Sequence, residues 1–201
     1  MVNMVFIGTY SRQLIYITMK SILAIPFFLF VLVIFSNGVV LADADLGEAE
    51  KEAAVYRLYT SYEHAFSAVR SISAREALDV YRQGKAVFVD VREPAEMEIS
   101  MLPGAVSVED YETRAGQIKD KRVIAYCTIG YRSGEFAEKM VERGVMVFNL
   151  EGGILAWVWE GGVLHNAAGQ AVKQVHVYAE KWDLAPAGYA TTRFGFWQRL
   201  F

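Results

Sequence analysis

The chain is poor in the residues that staple, chelate or grip nucleic acid. It contains one cysteine, Cys127, so no internal disulfide can form. Its three histidines, His64, His165 and His176, are scattered, and with a single cysteine they make no zinc-ligand set. All three fall outside the expected core, which leaves no base beside the thiol for a Cys–His hydrolase. Bases number 20 against 23 acids, so no basic footprint for nucleic acid is present. No glycine-rich phosphate loop occurs, because Gly152-Gly153 reads as a tight turn into a helix. Repeats and low-complexity segments are missing as well. Neither a metal nor an organic cofactor is expected.

Acids are also missing from residues 1–42, where the only charges are Arg12 and Lys20. An apolar run from Ile22 to Phe35 follows Lys20. Polar Ser36-Asn37-Gly38 comes next, and then small residues at Ala42 and Ala44 with a spacing suited to cleavage. This order describes a secretory signal peptide. The competing reading is a retained membrane anchor, since Ile22–Leu41 is long enough to span a bilayer, although Pro26 weakens it. On either reading the rest of the protein is expected outside the cytoplasm, periplasmic or secreted. Without residues 1–42 the chain keeps 18 bases against 23 acids, a net charge of −5.

Three further segments are separable. Residues 45–70 read as an amphipathic helix, with Val55, Leu58, Tyr59, Tyr62, Phe66 and Val69 at three- and four-residue steps. It is expected to dock on the main domain. Residues 71–162 alternate strand and helix signals. Ser73-Ala74-Arg75-Glu76 is a capping box that opens a helix ending near Gly84. Ala86–Asp90, Ala105–Val108, Val123–Tyr126 and Val145–Leu150 read as strands. Helices are expected near Asp110–Ile118, at Glu135–Arg143 and at Gly153–Trp159. Residues 163–201 read as an irregular extension whose aromatics, among them Tyr178, Trp182, Tyr189, Phe196, Trp197 and Phe201, cover part of the surface. Repeated strand–helix units predict an α/β fold, a mainly parallel sheet with helices on both faces. Ligands of such sheets sit beyond the C-terminal strand ends, where Cys127 falls.

Cys127 opens the run Cys127-Thr128-Ile129-Gly130-Tyr131-Arg132-Ser133 between a strand and a helix. Backbone N–H groups converge at such a junction and favour an anion, so the thiolate is expected to be stabilised. Gly130 permits a positive φ or a close backbone approach. Arg132 adds a permanent positive charge able to hold an anionic donor. The loop is read as solvent-facing, so loss of Arg132 is expected to harm anion use more than folding.

Four separated segments together resemble the rhodanese (sulfurtransferase) family. They are Asp90-Val91-Arg92-Glu93, Pro103-Gly104-Ala105, the loop Cys127–Ser133, and Glu151-Gly152-Gly153-Ile154-Leu155-Ala156-Trp157. A Gly-His pair usual before the Pro-Gly-Ala turn is replaced here by Ser100-Met101-Leu102. The resemblance implies a five-stranded parallel sheet and a ping-pong reaction without cofactor. Cys127 and Arg132 would be catalytic, and the loop amides of Thr128, Ile129, Gly130, Tyr131 and Ser133 would bind the substrate. Asp90 and Arg92 would support the loop as an ion pair. The implied partners are a small-molecule sulfur donor and a thiol or cyanide acceptor, or a partner protein. A non-catalytic sulfur-carrying or docking module is the alternative. Thiolate phosphatases set one residue more between thiol and arginine than the four present here, and the smaller ring suits a single sulfur atom.

Overall fold

The computed structural model describes residues 47–118 and 120–195. The leader and anchor readings of residues 1–42, and the aromatics Phe196, Trp197 and Phe201, lie outside the described residues. Among the described residues no helix is long and apolar enough to cross a membrane.

Five parallel strands form the central sheet: β1 (Arg70–Ile72), β2 (Ala86–Asp90), β3 (Val106–Ser107), β4 (Arg122–Tyr126) and β5 (Phe148–Leu150), in the order β1-β5-β4-β2-β3. Pairing is in register along β2 and β4, which sets Asp90 directly beside Tyr126 at their C-terminal ends. Alternation along each strand sends successive side chains to opposite faces. Phe88, Ile124 and Tyr126 join one buried cluster, and Val89, Val123 and Ala125 join the other. Such two-sided burial is what a parallel sheet requires.

Helices cover both faces. The face of Phe88 and Ile124 is covered by α1 (Glu48–Glu63), α2 (Ala74–Arg82) and α6 (Gly153–Trp159), which supply Val55, Leu78 and Trp157. Opposite them, α4 (Val108–Arg114) and α5 (Tyr131–Glu142) supply Tyr111, Ala137 and Met140. The short α3 (Pro94–Ile99) follows β2; its Pro at the first turn and the reciprocal Glu93/Glu96 capping box start it. Of the capping box expected at Ser73, the serine half forms, its hydroxyl accepting from the Glu76 amide, while the Glu76 carboxylate pairs with Arg122 instead.

Several boundaries differ from the sequence reading. The first helix stops at Glu63 and passes through a 3-10 turn, His64–Phe66, into β1, which supplies the fifth strand. Helix α5 begins at Tyr131, four residues earlier than expected, because Gly130 itself caps it in a left-handed conformation. The extension after residue 162 is more ordered than an irregular wrap. It forms an antiparallel pair, β6 (Leu164–His165) with β7 (Ala171–Val172), and a parallel pair, β8 (Gln174–His176) with β9 (Ala190–Thr192). Val175, Val177, Leu184 and Ala185 from this stretch are buried in the larger core cluster, which gives those pairs an apolar surface to rest on.

Trp157 anchors that cluster. It has no exposed surface, meets Phe88 edge-on at 5.1 Å and donates from Nε1 to the Val163 carbonyl at 3.0 Å. Trp157→Ala is therefore expected to lower the unfolding free energy by about 3 kcal/mol or more. Denaturant melts check this, and an unchanged midpoint would mean the ring lies outside the cooperative core.

Candidate active site

Strand β4 ends at Tyr126, and the chain turns through Cys127–Gly130 before α5 begins. Carbonyls of this turn are held from outside: the Ile154 backbone N–H donates to Cys127 O at 2.9 Å, and the Asn149 side-chain Nδ2 donates to Gly130 O at 2.9 Å. With its carbonyls directed outward to these donors, the turn brings the Gly130 N–H inward onto Cys127 Sγ at 3.2 Å. Among the hydrogen bonds of the described residues this is the one amide contact with the sulfur. The converging set expected from the sequence is thus represented by Gly130. Its φ of 102° and the Tyr59 ring leave no room for a side chain, since a Cβ there would lie 2.8 Å from Tyr59 Cδ2. Gly153 is constrained similarly, because an added Cβ would strike Cys127 O at 2.4 Å.

The remaining loop residues divide by role. Thr128 and Ile129 are buried apart from the part of each that lines the cleft, and Tyr131 is exposed. Ser133 is fully buried beneath the loop, its hydroxyl donating to Asn149 Oδ1 at 2.7 Å. Asp90 and Arg92 form the ion pair expected of them, buried at both ends, with Arg92 Nε and Nη2 donating at 2.9 and 2.6 Å. Tyr126 donates its hydroxyl to Asp90, and Arg92 also reaches Ser100 O at 2.6 Å. The pair therefore ties the residue before Cys127 to the end of β2. Neither member lines the cleft.

Arg132 departs from the sequence reading. Its guanidinium forms a fork on Glu96, Nη1 to Oε2 at 2.6 Å and Nη2 to Oε1 at 2.9 Å, with three-quarters of its side chain covered. It is a charge already matched by a fully buried carboxylate, in a site less solvent-facing than the loop's polarity implied. Glu96 escaped the sequence reading, although Pro94 and the Glu93/Glu96 spacing marked a helix start that would have turned it inward. His176 is a second correction. Expected outside the core, as a surface or tail residue, it is 2% exposed, because Val175 and Val177 face the core and His176 faces the other way, toward Glu96 and the Phe194 ring. Its Nδ1 lies 3.5 Å from Glu96 Oε1, beside the Arg132 fork that supplies the well-formed hydrogen bonds to that carboxylate.

Burial alone would raise the Glu96 carboxyl, but His176, the Arg132 hydrogen bonds and the Arg132 charge outweigh it and bring it down to about 2. Burial likewise disfavours the Arg132 charge, and Glu96 together with Cys127 holds it above its ordinary value. Cys127 and Arg132 border an open cleft of about 510 Å³ with Glu93, Thr128, Ile129, Tyr131, Tyr62, Tyr178 and Trp182. Tyr62 comes from α1 and the last two from the C-terminal extension. The cleft holds a nucleophilic sulfur, an amide that donates to it, and a guanidinium paired with Glu96 at its side.

The family model described as a rhodanese-like domain matches residues 73–160. The chain is 37% identical over 79 residues to a protein named sulfurtransferase from Allochromatium vinosum, covering 37% of this chain and 74% of that protein. It is 31% identical over 109 residues to the uncharacterized protein YqhL of Bacillus subtilis, covering 52% and 85%. To the putative sulfurtransferase YtwF of the same organism it is 35% identical over 80 residues, covering 36% and 73%.

Two expectations follow from the Glu96–Arg132 pair. A carboxyl depressed from its ordinary 4.5 to about 2 contributes fully above 4.5, and its contribution is lost as pH falls through about 2. From about pH 5 to about pH 2 the protein should lose about 3 kcal/mol more stability than Glu96→Gln, measured by denaturant melts across pH. Parallel pH curves would contradict the depressed carboxyl. Arg132→Ala should cost about 3 kcal/mol by leaving Glu96 unpaired, and most of it should return in Arg132→Ala/Glu96→Gln. A double variant no more stable than the single one would rule out this coupling.

Proposed function

Since the chain belongs to the rhodanese-like family, whose named relatives include sulfurtransferases, we propose that it transfers a sulfane sulfur through a persulfide on Cys127. The observation that carries this reading is the Gly130 amide on Cys127 Sγ at the floor of an accessible cleft. In the first half-reaction the Cys127 thiolate attacks the outer sulfur of a donor such as thiosulfate. The Sγ–S bond forms as the donor's S–S bond breaks, and sulfite departs with the bonding pair. In the second, a thiol or cyanide attacks the terminal sulfur and the Cys127 thiolate leaves. Sulfur moves without net oxidation, so no cofactor enters.

Residues of this chain divide the work. Gly130 N–H stabilises charge on Sγ when the thiolate attacks and again when it departs. Asn149 and the α6 amide of Ile154 keep the loop carbonyls turned away from the sulfur. The Asp90–Arg92–Tyr126 cluster fixes the strand end from which Cys127 projects. Arg132 is a positioning residue here: paired with Glu96, it secures α3 to the first turn of α5.

Incubation of the full chain with thiosulfate, followed by intact-mass analysis, tests the reading. One added sulfur is expected on the protein and none on Cys127→Ser. Release of that sulfur on adding cyanide or a thiol completes the cycle. Loading without release would favour a sulfur-carrying module, and no loading from any donor would end the proposal. The same spectrum reads whether residues 1–42 are retained, which bears on the export reading.

A further inference from the structure

Three of the four aromatic residues that line the cleft around Cys127 come from outside the family match. Tyr62 precedes residue 73, and Tyr178 and Trp182 follow residue 160; of these four rings Tyr131 alone belongs to the matched stretch. The rings are organised rather than scattered. Tyr62 meets Tyr131 edge-on at 5.3 Å, Phe66 backs Tyr131 at 5.4 Å, and Tyr178 lies against Trp182 at 5.4 Å. Tyr131 and Tyr178 nonetheless keep 39% and 40% of their surface exposed, although Arg132 stands over the Tyr178 ring.

Charge in the cleft points the same way. Among the described residues its charged lining consists of Glu93 and Arg132. Arg132 is matched by Glu96 and packs 5.4 Å from the Tyr178 ring, which leaves Glu93 as the unmatched charge. A small dianion would meet a cation already paired with Glu96 and an unpaired acid at the rim. The volume, about 510 Å³, falls in the range of about 300–1,000 Å³ typical of sites for organic molecules.

We infer that the aromatic wall selects an organic thiol or persulfide with a flat apolar body and no net negative charge, in preference to inorganic anions. This rests on the sulfur-transfer reading above. The body stacks among Tyr62, Tyr131, Tyr178 and Trp182 while its sulfur reaches Cys127. With a persulfide R–S–SH the Cys127 thiolate attacks the terminal sulfur. The Sγ–S bond forms, the S–S bond of the donor breaks, and RS⁻ leaves with the bonding pair. The terminal proton remains on the new Cys127 persulfide until solvent takes it, and no oxidant is needed.

The test uses the full chain and follows the first-turnover gain of one sulfur by intact mass, with benzyl persulfide, glutathione persulfide and thiosulfate at equal concentration. Benzyl persulfide is expected to load fastest. The ratio of benzyl persulfide to thiosulfate rates should fall about tenfold in Trp182→Ala, as expected when ring contacts are lost. It should largely recover in Trp182→Phe, which retains a ring and guards against a folding defect. Tyr178→Leu should lower the ratio in the same direction. A ratio unchanged in both Trp182→Ala and Tyr178→Leu, with loading intact, overturns the selection and spares the sulfur-transfer reading. Faster loading from the two anionic donors in the unaltered chain does the same. No loading from any donor overturns both.

Discussion

The fork between Arg132 and Glu96 ties the nucleophile's loop to the rest of the molecule. Glu96 is wholly buried on a helix that follows β2, and Arg132 stands in the first turn of the helix that follows Cys127. A carboxylate in that position is costly unless a permanent cation reaches it in bidentate geometry, and an arginine fork meets that demand. Two helices on different strands are thereby locked where their N-termini meet the cleft. The positive charge expected to greet an incoming anion is shared with Glu96, while the Arg132 side chain still borders the cleft beside Cys127. Electrostatic attraction for substrate then depends less on Arg132 than the loop sequence suggests.

A second buried pair operates one layer deeper. Asp90 and Tyr126 stand side by side at the ends of β2 and β4, and Arg92 closes on Asp90 while holding Ser100 O. Burying these groups separately would leave several polar atoms without partners, so the cluster forms as a unit. Its position holds the strand end from which the turn departs. Cys127 leaves a strand end already held by a hydroxyl, a carboxylate and a guanidinium, and the amide of Gly130 then needs only a short reach to the sulfur.

Periodicity made most of the architecture legible. Apolar runs at Ala86–Asp90 and Val123–Tyr126, the Ser73 cap and the glycines after Asn149 carried the parallel sheet and the position of Cys127. The ion pair of Asp90 with Arg92 was also readable, because two opposite charges near a strand end have few other partners. Less was legible where a residue's role depends on what packs over it. β1 is three residues long and pairs with β5 from far along the chain, so no local pattern announces it. His176 lies in a strand-like run that could face either way, and only Glu96 and the β8–β9 pair decide its burial. Arg132 looked free because its partner is 36 residues away in sequence.

The segments outside the family match are not appendages, and the glycines of the loop show why. Gly130 leaves space filled by Tyr59, and Gly134 leaves space filled by Phe66, so that an added Cβ would lie 2.8 and 2.4 Å from those rings. Both aromatics belong to the stretch before the matched domain. Their rings press on the turn that carries the thiol and on the first turn of α5, which steadies the geometry that aims Gly130 N–H at Sγ. On the opposite side, Glu48 accepts from the Ala187 amide at 2.8 Å and Ser100 donates to Gln174 O at 2.6 Å, so the C-terminal extension is fastened to α1 and to the end of α3. Tyr62, Tyr178 and Trp182 therefore reach the cleft on supports that also hold the loop. A change in either extension acts on the shape of the cleft and on the backbone beneath the sulfur together.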